Sequence, residues 1–317
     1  MESLGALLPP HLHFIQRDWL SCNQILLRDG EVAGSGTFTV IDTGYVKHQA
    51  LTLQIVEHLI GDGQLKRIIN THLHSDHCGG NALLAKATAC EIVIPQASWA
   101  DVLTWDAEAL SFKDLGQECP RFHAHATLAP GDVFESGGLS WEVFASAGHD
   151  PKSFIYFCHD ERLLISADAL WENGFGILFP ELHGDSGFLE QERVLNLIEL
   201  LNPRLVMPGH GAMFSDLSAA LARSRSRLAA FREKPDRNPR NALKALVKYL
   251  LLDRERVHIE TFVREQAQTC VNLACAKQLG EPLDGLLRQA LLDLAKVKAA
   301  RLEGEYAYNL QDLPQTL

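Results

Sequence analysis

One stretch constrains this chain more than any other. A short apolar segment, Arg67-Ile68-Ile69-Asn70, runs straight into Thr71-His72-Leu73-His74-Ser75-Asp76-His77 and then Cys78-Gly79-Gly80. Three histidines and an aspartate within six residues, placed just beyond a strand, can turn their side chains toward one point. Imidazole nitrogen and carboxylate oxygen are the donors that suit zinc, iron and manganese. Burying so many polar groups is costly unless they are coordinated or hydrogen-bonded. The segment therefore reads as half of a metal site at a strand end.

Three further residues occupy the same kind of position. His149 follows Ala147-Gly148, Asp168 follows the apolar run Leu163–Ser166, and His210 lies in Pro208-Gly209-His210-Gly211 after Leu205-Val206-Met207. The order is Asp42 in Ile41-Asp42-Thr43-Gly44, then H-x-H-x-D-H, then a lone His, a lone Asp and a lone His. This set resembles the metallo-β-lactamase superfamily over roughly residues 10–214. The resemblance implies an α/β fold, a four-layer αββα sandwich with metals at one edge between two sheets. It implies one metal on His72, His74 and His149, a second on Asp76, His77 and His210, and Asp168 bridging both. Asp42 would orient a ligand histidine through a hydrogen bond. Two divalent metal ions are expected, zinc first, with iron or manganese as alternatives. Asp76 and Asp168 are the expected catalytic carboxylates, and a metal-bridging hydroxide the expected nucleophile. β-Lactamases of this fold carry Cys or Ser at the bridging position, so Asp168 points away from antibiotic hydrolysis. Cys78 has no base reserved for it and reads as a packing residue.

The pattern departs from the family around the lone histidine, where Ser146-Ala147-Gly148-His149-Asp150-Pro151-Lys152-Ser153 places a lysine near the site. Lys152, with Trp171, Phe175 and His183, is a candidate substrate contact. Residues 96–127 carry no clean strand and are expected to form short helices, a candidate lid.

Elsewhere, alternating apolar runs and helical spacing predict mixed strands and helices up to about residue 214. From Ser215 the pattern becomes mainly helical, with Pro235 and Pro239 marking a linker. The expected division is a catalytic domain at 1–214 and a helical, winged-helix-like domain at 215–317. Charge follows the same line. Residues 215–317 hold 17 basic and 13 acidic residues, whereas residues 1–214 hold 12 and 27, within a total of −11. Seven scattered cysteines form no C-x-x-C pair and read as reduced thiols. There is no run of ~18 apolar residues and no basic-then-apolar leader, so no membrane partner is expected and the location is read as cytoplasmic. The sequence does not indicate an oligomeric state.

The resulting expectation is a dinuclear metal-dependent hydrolase of a small-molecule thioester or ester, similar to the glyoxalase II-like group. The second domain shows no clear basic set for glutathione. The alternative is a nuclease acting on single-stranded RNA or another phosphodiester, as in the lactamase-beta-like group. The run Arg223, Arg225, Arg227, Arg232, Lys234, Arg237, Arg240, Lys244 and Lys248 would either touch phosphates or pair with the acidic first domain.

Overall fold

The computed structural model describes residues 4–32 and 35–310. A first sheet contains β1 (Leu12–Ile15), β2 (Gln24–Val32), β3 (Ser35–Ile41), β4 (Gln64–Ile69), β5 (Glu91–Pro95) and β6 (Ala126–Leu128), side by side in that order. β1 to β3 pair antiparallel, and β3 to β6 pair parallel. Parallel neighbours need crossovers. These are α1 (Gln49–Ile60) between β3 and β4, and α2 (Ser75–Cys78) with α3 (Asn81–Thr88) between β4 and β5. Residues 96–127 hold two short helices, α4 (Trp99–Thr104) and α5 (Phe112–Leu115).

A second sheet runs β11-β10-β9-β8-β7. Its strands are β7 (Val133–Ser136), β8 (Leu139–Ala145), β9 (Phe154–Cys158), β10 (Leu163–Ala167) and β11 (Leu205–Pro208). β10 and β11 are parallel and are joined through α6 (Phe179–His183) and α7 (Gly187–Leu201).

Alternation along the strands builds three apolar layers. Ile25, Ile41 and Ile69 of the first sheet meet Val143, Tyr156, Ile165 and Met207 of the second. Leu26, Val40 and Ile68 face outward onto Val56 of α1 and Leu84 of α3. Ile155, Leu164 and Val206 face outward onto Val194, Leu195 and Ile198 of α7. Strands covered on both faces carry unbroken apolar runs, which is why these were readable from sequence. The Tyr156 hydroxyl donates to Asn70 O at 2.8 Å, tying the second sheet to the residue that opens the histidine run.

The remaining elements are α8 (Leu217–Glu233), α9 (Arg237–Arg254), β12 (Arg256–His258), α10 (Ile259–Gln266), α11 (Cys270–Leu279), α12 (Leu283–Lys296), β13 (Ala300–Glu303) and β14 (Tyr306–Asn309). The three strands form a small sheet ordered β12-β14-β13. The expected division at 214/215 falls before α8. Yet Leu221, Leu228 and Phe231 of α8 join the core beneath the second sheet, and the helical core begins with Ala242 of α9. Leu115 and Leu182 enter that helical core too, so the two units share packed side chains.

Two helical stretches of the C-terminal part are interrupted in the fold. Thr261–Leu279 breaks into α10 and α11 because Thr269 adopts an extended conformation (φ −79°, ψ 127°) as the cap of α11. Leu286–Leu302 stops at Lys296, and Lys298 takes a left-handed φ of +59° before β13.

Candidate metal centre and its cavity

Strand ends position the donors. β4 delivers Thr71 through His77, the loop after β8 delivers His149, the end of β10 delivers Asp168, and the end of β11 delivers His210. The turn after β10 is tight: Ala167 has φ +45°. A Cβ on Gly209 would lie 2.3 Å from Asp168 Oδ1 and 3.0 Å from the Ala167 carbonyl carbon. Only glycine lets β11 pass so close beneath Asp168.

Two donor clusters result: His72, His74 and His149, and Asp76, His77, Asp168 and His210. In the first, His74 Nδ1 lies 3.1 Å from His72 Nε2 and 2.8 Å from His149 Nε2. Three imidazole nitrogens converging like this cannot all be served by shared protons, and a cation satisfies their lone pairs together. In the second, His210 Nε2 is 3.1 Å from Asp76 Oδ2. Asp168 faces both: its Oδ2 is 3.4 Å from His149 Nε2 and 3.5 Å from His77 Nε2. His77 Nε2 is buried without a hydrogen-bond partner, an orphan atom of the kind that a bound cation would satisfy.

A surrounding shell fixes the rings. Asp42 Oδ2 accepts from His77 Nδ1 at 2.8 Å and from Thr71 Oγ1 at 2.7 Å, while its Oδ1 accepts from Thr71 N at 2.9 Å. Asp42 holds φ +58° to do this, the kind of backbone strain found at functional sites. His149 Nδ1 donates to Ile177 O at 2.6 Å, leaving Nε2 free to coordinate. The indole N–H of Trp171 donates to Asp168 Oδ1 at 3.2 Å.

The electrostatics suit coordination, which needs neutral imidazole and ionised carboxylate. Burial, with the neighbouring histidines adding to it, pushes His72 well below its ordinary value and His149 down to about 4. For Asp168, burial opposes ionisation, but His210, His77 and His149 outweigh it and hold the carboxyl well below the usual range. Burial would likewise lower His77, yet Cys22, Asp168, Asp42 and Asp76 around it raise it. A cation in place of that proton serves the same acids.

The donors open into a cavity of about 370 Å³. Trp19 stacks on His210 with ring centroids 5.5 Å apart, and Trp171 meets both edge-on. Phe179 packs on His74 and His149. The far wall comes from α9, including Asn241, Leu246 and Tyr249.

Of the sequence-predicted contacts, Trp171 and Phe175 line this cavity, Phe175 as a fully buried floor. Lys152 and His183 do not. The Lys152 ammonium is 2.6 Å from Asp101 and is spent on tying the 96–127 segment to the loop after β8. His183 is exposed at the last residue of α6. The 96–127 segment packs mostly on the outer face of the first sheet, through Val102, Leu110, Phe112 and Phe122. It reaches the cavity only with Leu115 and Gln117. Cys78 is fully buried in the same layer, its sulfur 3.6 Å from that of Cys119. Sequence reasoning did not single out Trp19, Phe179 or the α9 wall. An isolated aromatic residue or one face of an amphipathic helix carries no signal of the cavity it will border.

The comparisons agree with this architecture. The family model described as the metallo-beta-lactamase superfamily matches residues 17–210. A hydroxyacylglutathione hydrolase of Rhodopseudomonas palustris (strain BisB5) is 30% identical over 158 residues, covering 50% of this chain and 53% of that protein. Another, from Ectopseudomonas mendocina (strain ymp), is 30% identical over 119 residues, 38% of either protein. The matched stretches thus span about half or less of these curated relatives. A beta-lactamase domain protein from Burkholderia ambifaria superposes with a TM-score of 0.58 at 19% identity, over 96% of this chain and 93% of that one. A metallo-beta-lactamase family protein from Thermus thermophilus gives 0.56 at 17% identity, over 95% and 99%. At such identities the likeness concerns the fold alone, and it extends through the C-terminal helices. Among the described residues no helix is long and apolar enough to cross a membrane. The matched model, the strand order and the donors at the strand ends converge on one assignment: this chain belongs to the metallo-beta-lactamase superfamily.

Proposed function

We propose that the chain is a metal-dependent hydrolase of a small-molecule thioester or ester. The observation that carries this reading is the position of Asp168, whose Oδ2 lies within 3.5 Å of a histidine nitrogen from each donor cluster. His72, His74 and His149 would hold one divalent cation, Asp76, His77 and His210 a second, and Asp168 would serve both. Zinc suits this nitrogen-rich set, and iron or manganese are compatible with it. Such cations make hydroxide available at neutral pH and stabilise negative charge on an attacked carbonyl.

The chain's own residues supply the rest. Asp42 and Ile177 O hold the His77 and His149 rings by their Nδ1 hydrogens. Trp171 steadies one oxygen of Asp168. Trp19, Trp171 and Phe179 exclude water from the histidine rings. Tyr249, on the opposite wall, is raised well above its ordinary value by burial and nearby acids. It therefore keeps its proton and offers a hydrogen-bond donor to the cavity.

The thioester preference is supported by the curated relatives, since hydroxyacylglutathiones are thioesters. The nuclease alternative is weakened by the fate of the basic run. Arg225 pairs with Glu199 at 2.7 Å, Arg232 with Glu192 at 2.9 Å, and Arg240 with Glu281. Little of it is free to track a phosphate backbone. The test is a panel of acyl thioesters, esters, lactones, phosphodiesters and RNA, run before and after chelation. Thioester or ester turnover that chelation removes is expected. Turnover confined to RNA or phosphodiesters would overturn the reading.

A further inference from the structure

Arg227 of α8 differs from Arg225 and Arg232 on the same helix, which pair with glutamates. No carboxylate among the described residues lies within ion-pair distance of it, although Glu172 borders the same cavity. Its Nη1 donates to Phe175 O at 3.1 Å, which uses one of the five N–H groups a guanidinium carries. Its guanidinium carbon sits over the rings of Phe175 at 4.9 Å and Phe231 at 5.4 Å. Burial lowers its pKa to about 10, so it stays charged at neutral pH. A cation held in an apolar setting without a counter-charge is unfavourable, and aromatic faces compensate only partly. An incoming anion would remove that deficit.

The position is fitted to such a role. The loop after β10 touches Arg227 at one end and the donor cluster at the other. A Cβ at Gly174, where φ is +134°, would be 2.6 Å from Arg227 Nη1, and one at Gly176 would be 2.4 Å from His149 Nδ1. Two residues of extended backbone span at most about 7 Å. Arg227 also lines the same cavity of about 370 Å³ as His74, His149 and Asp168, so an anion held on it shares one small chamber with the donors. We propose that Arg227 receives a carboxylate at the far end of the acyl group, so that the preferred substrates are thioesters or esters of short dicarboxylic acids. This rests on the hydrolase reading above. A carboxylate fits better than a phosphate monoester, which brings close to two charges to one guanidinium.

The test compares glutaryl and valeryl thioesters of one small thiol, equal in chain length and differing in the terminal carboxylate. The native enzyme is expected to favour the glutaryl substrate in kcat/KM by on the order of tenfold or more. Arg227→Met, which keeps the apolar stem over the rings, should bring the ratio near unity, and Arg227→Lys should keep part of it. No preference in the native enzyme, or an unchanged ratio in Arg227→Met, overturns the proposal. If neither thioester is cleaved, the substrate panel above decides the hydrolase reading separately, and glutarate binding still tests the anion site. Trp19 and Trp171 border the cavity, so their fluorescence reports that binding. A dissociation constant weakened about tenfold or more in Arg227→Met supports the site. An equal constant in both proteins, or no saturable change, overturns it.

Discussion

The two ends of the cavity are built on opposite principles. At the donor end, seven side chains converge, and most have a second contact that fixes their orientation, as Asp42 does for His77 and Trp171 for Asp168. At the α8–α9 end, one guanidinium rests on two aromatic rings with a single backbone acceptor. The first is over-determined and holds charged groups in mutual balance. The second leaves a charge without its complement. Chemistry that must be the same for every substrate needs the first kind of site. Selection among substrates needs only the second.

This difference can be broken at the donor end with the largest effect. His74→Ala removes the donor whose Nδ1 lies between two other imidazoles. Turnover should fall by ~10³-fold or more, with the thermal transition of the folded protein retained. Unchanged turnover on any accepted substrate would contradict the donor assignment. Asp42→Asn keeps the shape but removes the charge that orients His77. Metal affinity should weaken ~10–100-fold, read by competition with a chromophoric chelator. An affinity equal to that of the native protein would mean that Asp42 only shapes its turn.

At the opposite wall the expected effects are on stability and are smaller. Lys248 of α9 is buried and donates to Ala299 O at 2.8 Å, Asn309 Oδ1 at 2.6 Å and Leu310 O at 2.8 Å, anchoring the final hairpin. Lys248→Met leaves those acceptors unserved and should cost ~1–3 kcal/mol in denaturant unfolding. Burial also lowers the Lys248 ammonium from the ordinary 10.5 to about 8. Between those values the unfolded chain binds the proton more tightly than the folded one, so this group makes stability rise with pH there. Lys248→Met should remove that rise. The smallest effect belongs to Arg232→Gln. Its pair with Glu192 is largely exposed, and stability should move by no more than ~1 kcal/mol.

The same contrast explains what the sequence could show. Candidate donors at strand ends fall beside apolar runs and turn glycines, so the run His72 to His77 was legible by itself, while His149, Asp168 and His210 were legible only as a set ordered after it. Strands such as β4, β10 and β11, whose apolar runs stand out in the sequence, are buried on at least one continuous face. β1, β6, β7 and β12 to β14 have only three or four residues each and are partly exposed, too short for alternation to register. Lys152 lies close to His149 in sequence, but its ammonium pairs with Asp101, 51 positions before it, a partner that sequence proximity does not show. Arg227 was visible only as one of nine basic residues. Its distinction is that Arg225 and Arg232 of the same helix found acids and it, though buried, did not, which depends on how α7, α8 and α9 pack.

The central claim is that two donor sets share Asp168. Elemental analysis of purified, desalted protein tests it most directly, with the Asp168→Asn variant measured alongside. About two zinc, iron or manganese ions per native chain, and a clear drop in the folded variant, are expected. A native content of one or none, or a content that Asp168→Asn leaves unchanged, would contradict it.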